Sequence, residues 1–142
     1  MFFNLDKCVG HITETTTKQI SDAFSHRFQN TGVTRIQWIA LYYIEKNKII
    51  SQRELSNLMN VKDSSAGRLI DRLERDGLVE RKRNDSDRRI IYIQLTKKGN
   101  ELFLELKPIG EKFSCDLIRD IKEEDLIIYE SVLKKMLSNV SE

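Results

Sequence analysis

Apolar residues recur every three or four positions through most of the chain, the spacing of helices with one buried face. The first thirty residues carry apolar side chains at Leu5, Val9, Ile12, Ile20, Ala23, Phe24 and Phe28. This spacing predicts one long amphipathic helix that Gly32 interrupts. A second helix starts at Thr34, and its dense apolar residues, WIALYYIEKN, predict a central position in the core.

Two short helices joined by a tight turn are predicted in the middle of the chain. Residues 51–54 read Ser-Gln-Arg-Glu, a capping box that starts a helix at Ser51. Its predicted buried face comprises Leu55, Leu58 and Met59, and residues 48–50 before it could form a lone strand. The next helix begins near Asp63, buries Leu69, Ile70 and Leu73, and stops at Gly77. The pair predicts a helix-turn-helix.

A β-hairpin with a charged tip is predicted next. The sequence RIIYIQL favours a strand because it is rich in β-branched and aromatic residues, and residues 84–87, NDSD, favour a turn. Basic residues lie on both sides of that turn, at Arg81, Lys82, Arg83, Arg88 and Arg89. A protein that binds DNA can use such a hairpin to place positive charge against the backbone.

Two further amphipathic helices complete the pattern. Thr96 caps a helix through Leu102, Phe103, Leu106, Ile109, Phe113, Leu117 and Ile121, with Pro108 as a kink. A last helix places Leu126, Tyr129, Leu133, Met136, Leu137 and Val140 on one side. The predicted fold is mainly α with a small β-hairpin (α+β): a winged helix-turn-helix over residues 34–95, flanked by helices in 1–33 and 96–142. The wide apolar faces of the flanking helices predict a two-fold homodimer.

Composition limits the possible partners. The 142 residues include 24 Lys and Arg against 22 Asp and Glu, a net charge of +2. Binding to nucleic acid would therefore depend on local concentration of positive charge. No apolar run approaches the roughly 18 residues that a membrane span needs, and the N-terminus has no signal-peptide pattern. Two distant cysteines agree with a reducing compartment, so we expect a cytoplasmic protein without a membrane partner.

Residues 34–99 resemble the DNA-binding core of the MarR family of transcriptional regulators. The shared features are Thr34 with Gln37, Leu55, Leu73-Glu74, Gly77-Leu78-Val79, the Asp87-x-Arg89 signature, and Leu95-Thr96 with Gly99. The flanking helices fit the family's dimerisation layout, so the resemblance spans essentially the whole chain. It implies a homodimer that binds a near-palindromic operator in double-stranded DNA, usually as a repressor released by a small molecule or by oxidation.

Candidate DNA contacts lie first on the second helix of the helix-turn-helix. A helix in the major groove needs polar side chains at its N-terminal and outward positions, and Ser64, Ser65, Arg68 and Arg72 meet that need. The resemblance places Ser65 and Arg68 at family base-contact positions. The alternative is that Arg68 and Arg72 are solvated helix residues paired with Asp71 or Asp76.

The hairpin offers a second set of candidate contacts. An Arg at its tip can enter the narrow minor groove, and Lys or Arg along its strands can meet phosphates. By resemblance Arg89 reaches the groove while Asp87 holds the loop, and Arg83 or Arg88 can share that role, with Lys82 nearby. The alternative is that Arg81 to Arg83 form the solvent face of an edge strand, and Arg81 is the first candidate for it. Ser51 and Gln52 are either weaker phosphate contacts or only helix caps.

The signal that such a regulator would sense is not fixed by the sequence. The resemblance implies a small aromatic or amphipathic acid, and His11, His26, Arg27, Trp38 and Tyr42 are conceivable lining residues. An aromatic residue such as Trp38 in an apolar run is more often core. Cys8 gives an alternative, a thiol-based redox sensor, although its surroundings lack the tyrosine that the peroxide-sensing branch of the family places after its cysteine. Cys8, His11 and His26 could suggest a zinc site, but no fourth ligand is evident, so we expect neither metal nor cofactor.

Other functional classes find less support. The chain has no P-loop, no dinucleotide-binding glycine pattern, no nucleophile elbow and no His-Glu-x-x-His, so we expect no enzymatic activity. A winged helix that binds proteins without touching DNA is the stronger rival. Such a module would lack both the Ser/Arg helix face and the hairpin Arg, and this sequence has both.

Overall fold

The computed structural model describes residues 2–142. Six α-helices and three short strands follow one another within those residues, after a 3-10 turn at Leu5–Lys7. They are α1 Val9–Arg27, α2 Arg35–Asn47, β1 Ile50–Ser51, α3 Gln52–Met59, α4 Asp63–Arg75, β2 Val79–Arg83, β3 Ile91–Leu95, α5 Lys97–Leu117 and α6 Glu123–Val140. This order confirms the predicted fold class, mainly helical with a small hairpin. Within residues 2–142 no helix combines the length and apolar character needed to cross a membrane.

The chain divides into two compact units at Gly110. The first reaches up to Gly110 and contains the helix-turn-helix and the sheet, and the second comprises Glu111–Glu142. α5 crosses the division, with Pro108 inside the helix.

Two capping boxes set the starts of α2 and α3. The N–H of Gln37 donates to Thr34 Oγ1 at 3.1 Å, and the N–H of Thr34 donates to Gln37 Oε1 at 3.0 Å. Ser51 and Glu54 repeat the arrangement at 3.1 and 3.0 Å. Each box satisfies N–H groups that a helix start leaves without partners. The box at Ser51 was predicted from the sequence and is confirmed, whereas at Thr34 only the start of the helix was predicted.

The core of the first unit lies where α2, α3, α4 and the sheet meet. Its largest fully buried apolar side chains are Leu41, Ile44, Leu55, Ile70, Leu73, Val79 and Ile93. The prediction that Leu58 is buried is wrong, because its side chain is 48% exposed. Ser56 is buried on α3 instead, with 1% of its surface exposed.

The three strands form one antiparallel sheet in the order β1-β3-β2. Ile50 pairs with Ile93, and Arg81 lies opposite the same Ile93 on the other side of β3. The lone strand predicted over residues 48–50 is wrong in bounds and in isolation, because β1 pairs with β3. Lys48 cannot continue a strand, since it ends α2 with a φ of 64°.

Some predicted helix limits shift by several residues. The first helix begins only at Val9, because residues 5–7 form a separate turn, and it ends at Arg27. α5 ends at Leu117, so Ile121 lies outside it. On α6 the side chains of Tyr129, Leu137 and Val140 are exposed.

Candidate nucleic-acid interface

α4 presents a polar face because its opposite face is fixed in the core. Ala66, Leu69, Ile70 and Leu73 are buried, and they hold the helix against its neighbours. The predicted contact residues Ser64, Ser65, Arg68 and Arg72 are all exposed. Asp71 pairs with Arg81 and Asp76 with Arg75, so neither carboxylate is bridged to Arg68 or Arg72. The guanidinium groups of Arg68 and Arg72 make no ion pair within residues 2–142.

A partly buried hydrogen bond sets the turn between α3 and α4. Ser56 Oγ donates to Asp63 Oδ1 at 2.6 Å, and Ser56 is only 1% exposed. Asn60 adopts a left-handed φ of 54°, which Asn tolerates better than most residues, and it ends α3. The role of Ser56 could not be predicted from the sequence, since an isolated hydroxyl on a short helix gives no signal until Asp63 lies beside it.

β2, β3 and the loop 84–90 between them form the hairpin, called the wing from here on. The loop has seven residues and is wider than the tight turn suggested by the sequence. Asn84 Oδ1 organises it by accepting from the N–H groups of Ser86 at 2.8 Å and Asp87 at 3.1 Å. The loop closes where the Asn84 N–H donates to the Ile90 carbonyl at 3.0 Å.

Asp87 holds Arg89 at the tip of the wing. Arg89 Nε and Nη2 donate to the two oxygens of Asp87 at 3.0 and 3.1 Å, and the Arg89 N–H donates to Asp87 Oδ1 at 3.0 Å. These hydrogen bonds from the side chain and backbone of Arg89 lower the pKa of Asp87 below its ordinary value, and the same pair raises the pKa of Arg89. The Arg89 side chain is nevertheless 90% exposed. The wing therefore presents an ordered, solvent-facing guanidinium.

The other wing cations are arranged in different ways. Arg83 Nη1 donates to the Arg88 carbonyl at 3.0 Å, so Arg83 fastens the loop. Lys82 and Arg88 are exposed. These three cations lie on one hairpin with Asp87 and Arg89, as the sequence indicated.

Arg81 differs from its expected place on the solvent face of an edge strand. Its side chain is only 23% exposed and forms ion pairs with Asp71 at 2.6 Å and Glu74 at 3.3 Å. That alternative is wrong for Arg81, because β2 passes close to α4 and turns the Arg81 side chain toward the helix.

Ser51 and Gln52 lie near the wing at the start of α3. A cleft of about 730 Å³ is lined by residues of that helix start, including Ser51, Gln52 and Asn57, and by Asp87, Arg89 and Tyr92 of the wing. The hydroxyl of Ser51 already serves its cap. The cleft brings the two weaker candidates to the same side of the molecule as Arg89.

The candidates for sensing are placed separately. Trp38 is 9% exposed and stacks on Phe103 with ring centroids 5.6 Å apart, so it belongs to the core. Tyr42 contacts Trp38 but is 39% exposed. Cys8 is a half-buried free thiol at the N-cap of α1. His11 is half-buried, whereas His26 and Arg27 are exposed. Among residues 2–142 no group of three His, Cys, Asp or Glu side chains could hold a metal ion.

Comparison with known proteins decides the family. A sequence profile described as the MarR family matches residues 31–90. The transcriptional repressor MprA of Escherichia coli strain K12 is 30% identical over 113 residues, which cover 78% of this chain. The chain belongs to the MarR family. It spans 64% of the length of MprA.

Solved structures show that the MarR fold extends over nearly the whole chain. A mutant of Escherichia coli MarR in complex with operator DNA has a TM-score of 0.84 at 23% identity, covering 96% of this chain and 99% of that one. BpsR of Bordetella bronchiseptica, whose DNA binding is regulated by 6-hydroxynicotinic acid, has a TM-score of 0.87 at 18% identity and full coverage of both chains. MepR of Staphylococcus aureus, solved with DNA, has a TM-score of 0.83 at 20% identity, covering 94% and 98%.

Proposed function

We propose that this protein is a transcriptional regulator that binds double-stranded DNA as a homodimer. The observation that carries the proposal is the exposed, Asp87-held Arg89 at the wing tip, in the same compact unit as the polar face of α4. Residues 34–95 would read DNA, and residues 1–33 with 96–142 would form the dimer. Family membership and the likeness to DNA-bound MarR and MepR support this function.

The polar face of α4 supplies the base-reading part of the proposal. Ser64, Ser65 and Arg68 lie in its first two turns, where a helix entering the major groove meets base edges. Arg68 can make a bidentate contact to guanine, and its guanidinium would not first have to leave an ion pair. Arg72 lies one turn farther along the helix, where a phosphate contact suits its charge.

The wing tip supplies the minor-groove part. Asp87 occupies Nε and Nη2 of Arg89, which leaves the Nη1 hydrogens for an acceptor on DNA. Because Asp87 already orders the side chain, less conformational entropy is lost on binding. Lys82, Arg83 and Arg88 flank this contact and suit phosphate oxygens, while Ser51 and Gln52 face the same cleft.

Apolar surface supports the dimeric form of the proposal. On α6, Ile127, Ile128, Tyr129 and Val132 are each about half exposed or more, and on α1 so are Val9 and Ile12. Solvent-facing apolar side chains in such number mark an association surface. Sedimentation equilibrium at micromolar concentration should give a dimer, and Ile128→Glu should shift it toward monomer. A wild-type protein that stays monomeric would contradict this part.

The decisive experiment is selection of bound sequences from a random duplex pool with the wild-type protein. A recovered palindrome with half-sites about one helical turn apart would support a dimeric winged helix. Arg89→Ala should then weaken binding to that duplex by at least about tenfold. It should also reduce the slope of log K against log salt concentration by about one for each wing of the dimer.

Arg119→Ala is the matched control. Arg119 is also exposed and paired with an aspartate, Asp116, but it lies in the second unit, away from the wing sequence. It should bind the duplex like the wild type. No enrichment by a folded dimer would favour the rival module that binds protein partners instead.

The proposed mode of action is repression relieved by a small ligand. MprA is a repressor, and the DNA binding of BpsR responds to 6-hydroxynicotinic acid, so aromatic carboxylic acids are the first compounds to test. Loss of binding to the selected duplex on addition of such an acid would support this mode. Loss on peroxide treatment, prevented by Cys8→Ser, would favour thiol-based sensing.

A further inference from the structure

Arg81 connects the two elements that the proposed function assigns to the two grooves of DNA. It lies in the middle of β2, and its guanidinium reaches three acceptors on α4. Nη1 lies 2.6 Å from Asp71 Oδ1 and 3.3 Å from Glu74 Oε1, and Nη2 donates to the Gly67 carbonyl at 3.1 Å. The backbone N–H of Arg81 also donates to Glu74 Oε2 at 3.2 Å.

These contacts fasten one strand of the wing to the middle of α4. The Gly67 carbonyl directly precedes Arg68, and Asp71 directly precedes Arg72. Arg81 itself lies between Lys82 and the buried base of the strand at Val79. A planar guanidinium with several fixed acceptors sets both distance and angle between the elements it joins, which a flexible lysine cannot do.

We propose that Arg81 is a positioning residue for DNA recognition. Without contacting DNA, it sets the angle of α4 relative to the wing, so that Arg68 and Arg89 engage their grooves together. This inference rests on the proposed DNA-binding function. It assigns to Asp71 and Glu74 a role that their charge alone would not suggest, because carboxylates near a phosphate backbone ordinarily oppose binding.

The charge of Asp71 and its proposed role predict opposite changes in DNA affinity when Asp71 is neutralised, and this difference gives a test. Asp71→Asn removes a negative charge from the helix that reads DNA, so by charge alone it should tighten binding. If Asp71 holds Arg81, the same change should weaken binding to the selected duplex by about five- to tenfold, as expected for loss of a coupled pair.

Asp76→Asn is the matched control, since it removes the same charge from the C-terminal end of α4. Asp76 pairs with Arg75 at 3.5 Å and belongs to no contact of Arg81. Its affinity for the duplex should equal that of the wild type or be slightly higher.

The salt dependence of binding separates positioning from a phosphate contact by Arg81. Losing a phosphate contact lowers the slope of log K against log salt by about 0.9 for each phosphate. Arg81→Lys should weaken binding while leaving that slope unchanged, because lysine keeps the charge but cannot join all three acceptors. Arg81→Met should also keep the wild-type slope. In the double variant Arg81→Met with Asp71→Asn, the losses of binding free energy should not add, since both substitutions remove the same contact between β2 and α4.

Folding is monitored with Trp38, the single tryptophan, which lies in the core. Asp71→Asn should keep the wild-type fluorescence spectrum, because the Asp71 side chain is 64% exposed. Asp71→Asn that binds as tightly as Asp76→Asn would overturn the inference. A slope of log K against log salt that falls by about one in Arg81→Met would also overturn the inference, because it would indicate a lost phosphate contact. If the wild type and Asp76→Asn select no duplex, the proposed function fails first and the inference with it.

Discussion

Gly99→Ala tests whether the base of the wing is held against α5 by backbone contact. Gly99 is buried in the first turn of α5, where its N–H donates to Thr96 Oγ1 at 3.0 Å. A methyl group added there would lie 1.9 Å from the Leu78 carbonyl oxygen and 2.9 Å from its carbon. Real Cβ atoms essentially never come closer than 3.0 Å, so the backbone would have to move by about 1 Å. No flexible side chain can give way instead.

The expected cost follows from three contributions. Alanine in a helix gains roughly 0.5–1 kcal/mol over glycine. Against this, forcing extra volume into a packed site costs about 1–3 kcal/mol. The displaced Leu78 carbonyl also loses the Thr96 N–H, 3.1 Å away, and an unsatisfied buried carbonyl costs about 1–3 kcal/mol. Together these give a loss of about 1–5 kcal/mol in the free energy of unfolding.

Gly10→Ala is the matched control, since a methyl group there would meet only Cys8 Sγ at 4.0 Å. It should raise stability by up to about 1 kcal/mol, so the two identical substitutions should act with opposite sign. Urea unfolding followed by Trp38 fluorescence measures both, at one protein concentration because a dimer's stability depends on it. Gly99→Ala that is as stable as the wild type would refute the reasoning.

Three further outcomes are expected. Arg68→Ala should relax base preference at one position of each half-site, losing about 1–3 kcal/mol of discrimination in binding to point-mutated duplexes; undiminished discrimination would remove Arg68 from base reading. Arg89 lowers the pKa of Asp87 in the folded protein. The stability that the pair contributes is therefore fully present above the pKa of Asp87 in the unfolded chain, about 4, and is lost as the pH falls through the lower pKa of the folded state. A carboxyl NMR titration should therefore show no Asp87 transition at neutral pH, and Arg89→Ala should move the transition upward; an unmoved transition would deny the pair in solution. Ser51→Ala should cost about 0.5–2 kcal/mol of stability by breaking the cap of α3, whereas Ser86→Ala in the exposed loop should cost little by the same denaturant assay; equal effects would contradict the cap.

Local chemistry made most of the elements predictable. Thr34 and Ser51 each begin a helix through a hydrogen bond to a residue three positions later, so sequence alone carries that information. Gly77, which has a φ of 74°, ends the α4 region for an equally local reason. The loop residues Asn84 and Asp87 likewise satisfy backbone groups two or three positions away.

Contacts between distant elements escaped prediction. The role of Arg81 depends on Asp71, ten residues earlier, and on the angle at which β2 leaves α4. Ser56 is buried only because Asp63 lies beside it across the turn. In both cases a polar residue looks solvated in the sequence, and its partner is set by the packing of two elements whose spacing no periodicity encodes.

The five wing cations show why counting charge overstates what a surface offers to DNA. Arg81 is neutralised by two carboxylates and faces α4, so it adds little field at the wing tip. Arg83 keeps its charge while its guanidinium binds the Arg88 carbonyl and holds the loop. Arg89 is paired with Asp87, so the two side chains together are nearly neutral. Within residues 2–142, the side chains of Lys82 and Arg88 make no hydrogen bond or ion pair, and that of Arg83 bonds only to a backbone carbonyl. Arg89 therefore serves to place a directed donor in a narrow groove, where geometry determines the contact. Long-range attraction to DNA comes instead from cations without a carboxylate partner, such as Lys82 and Arg88 on the wing and Arg68 and Arg72 on α4.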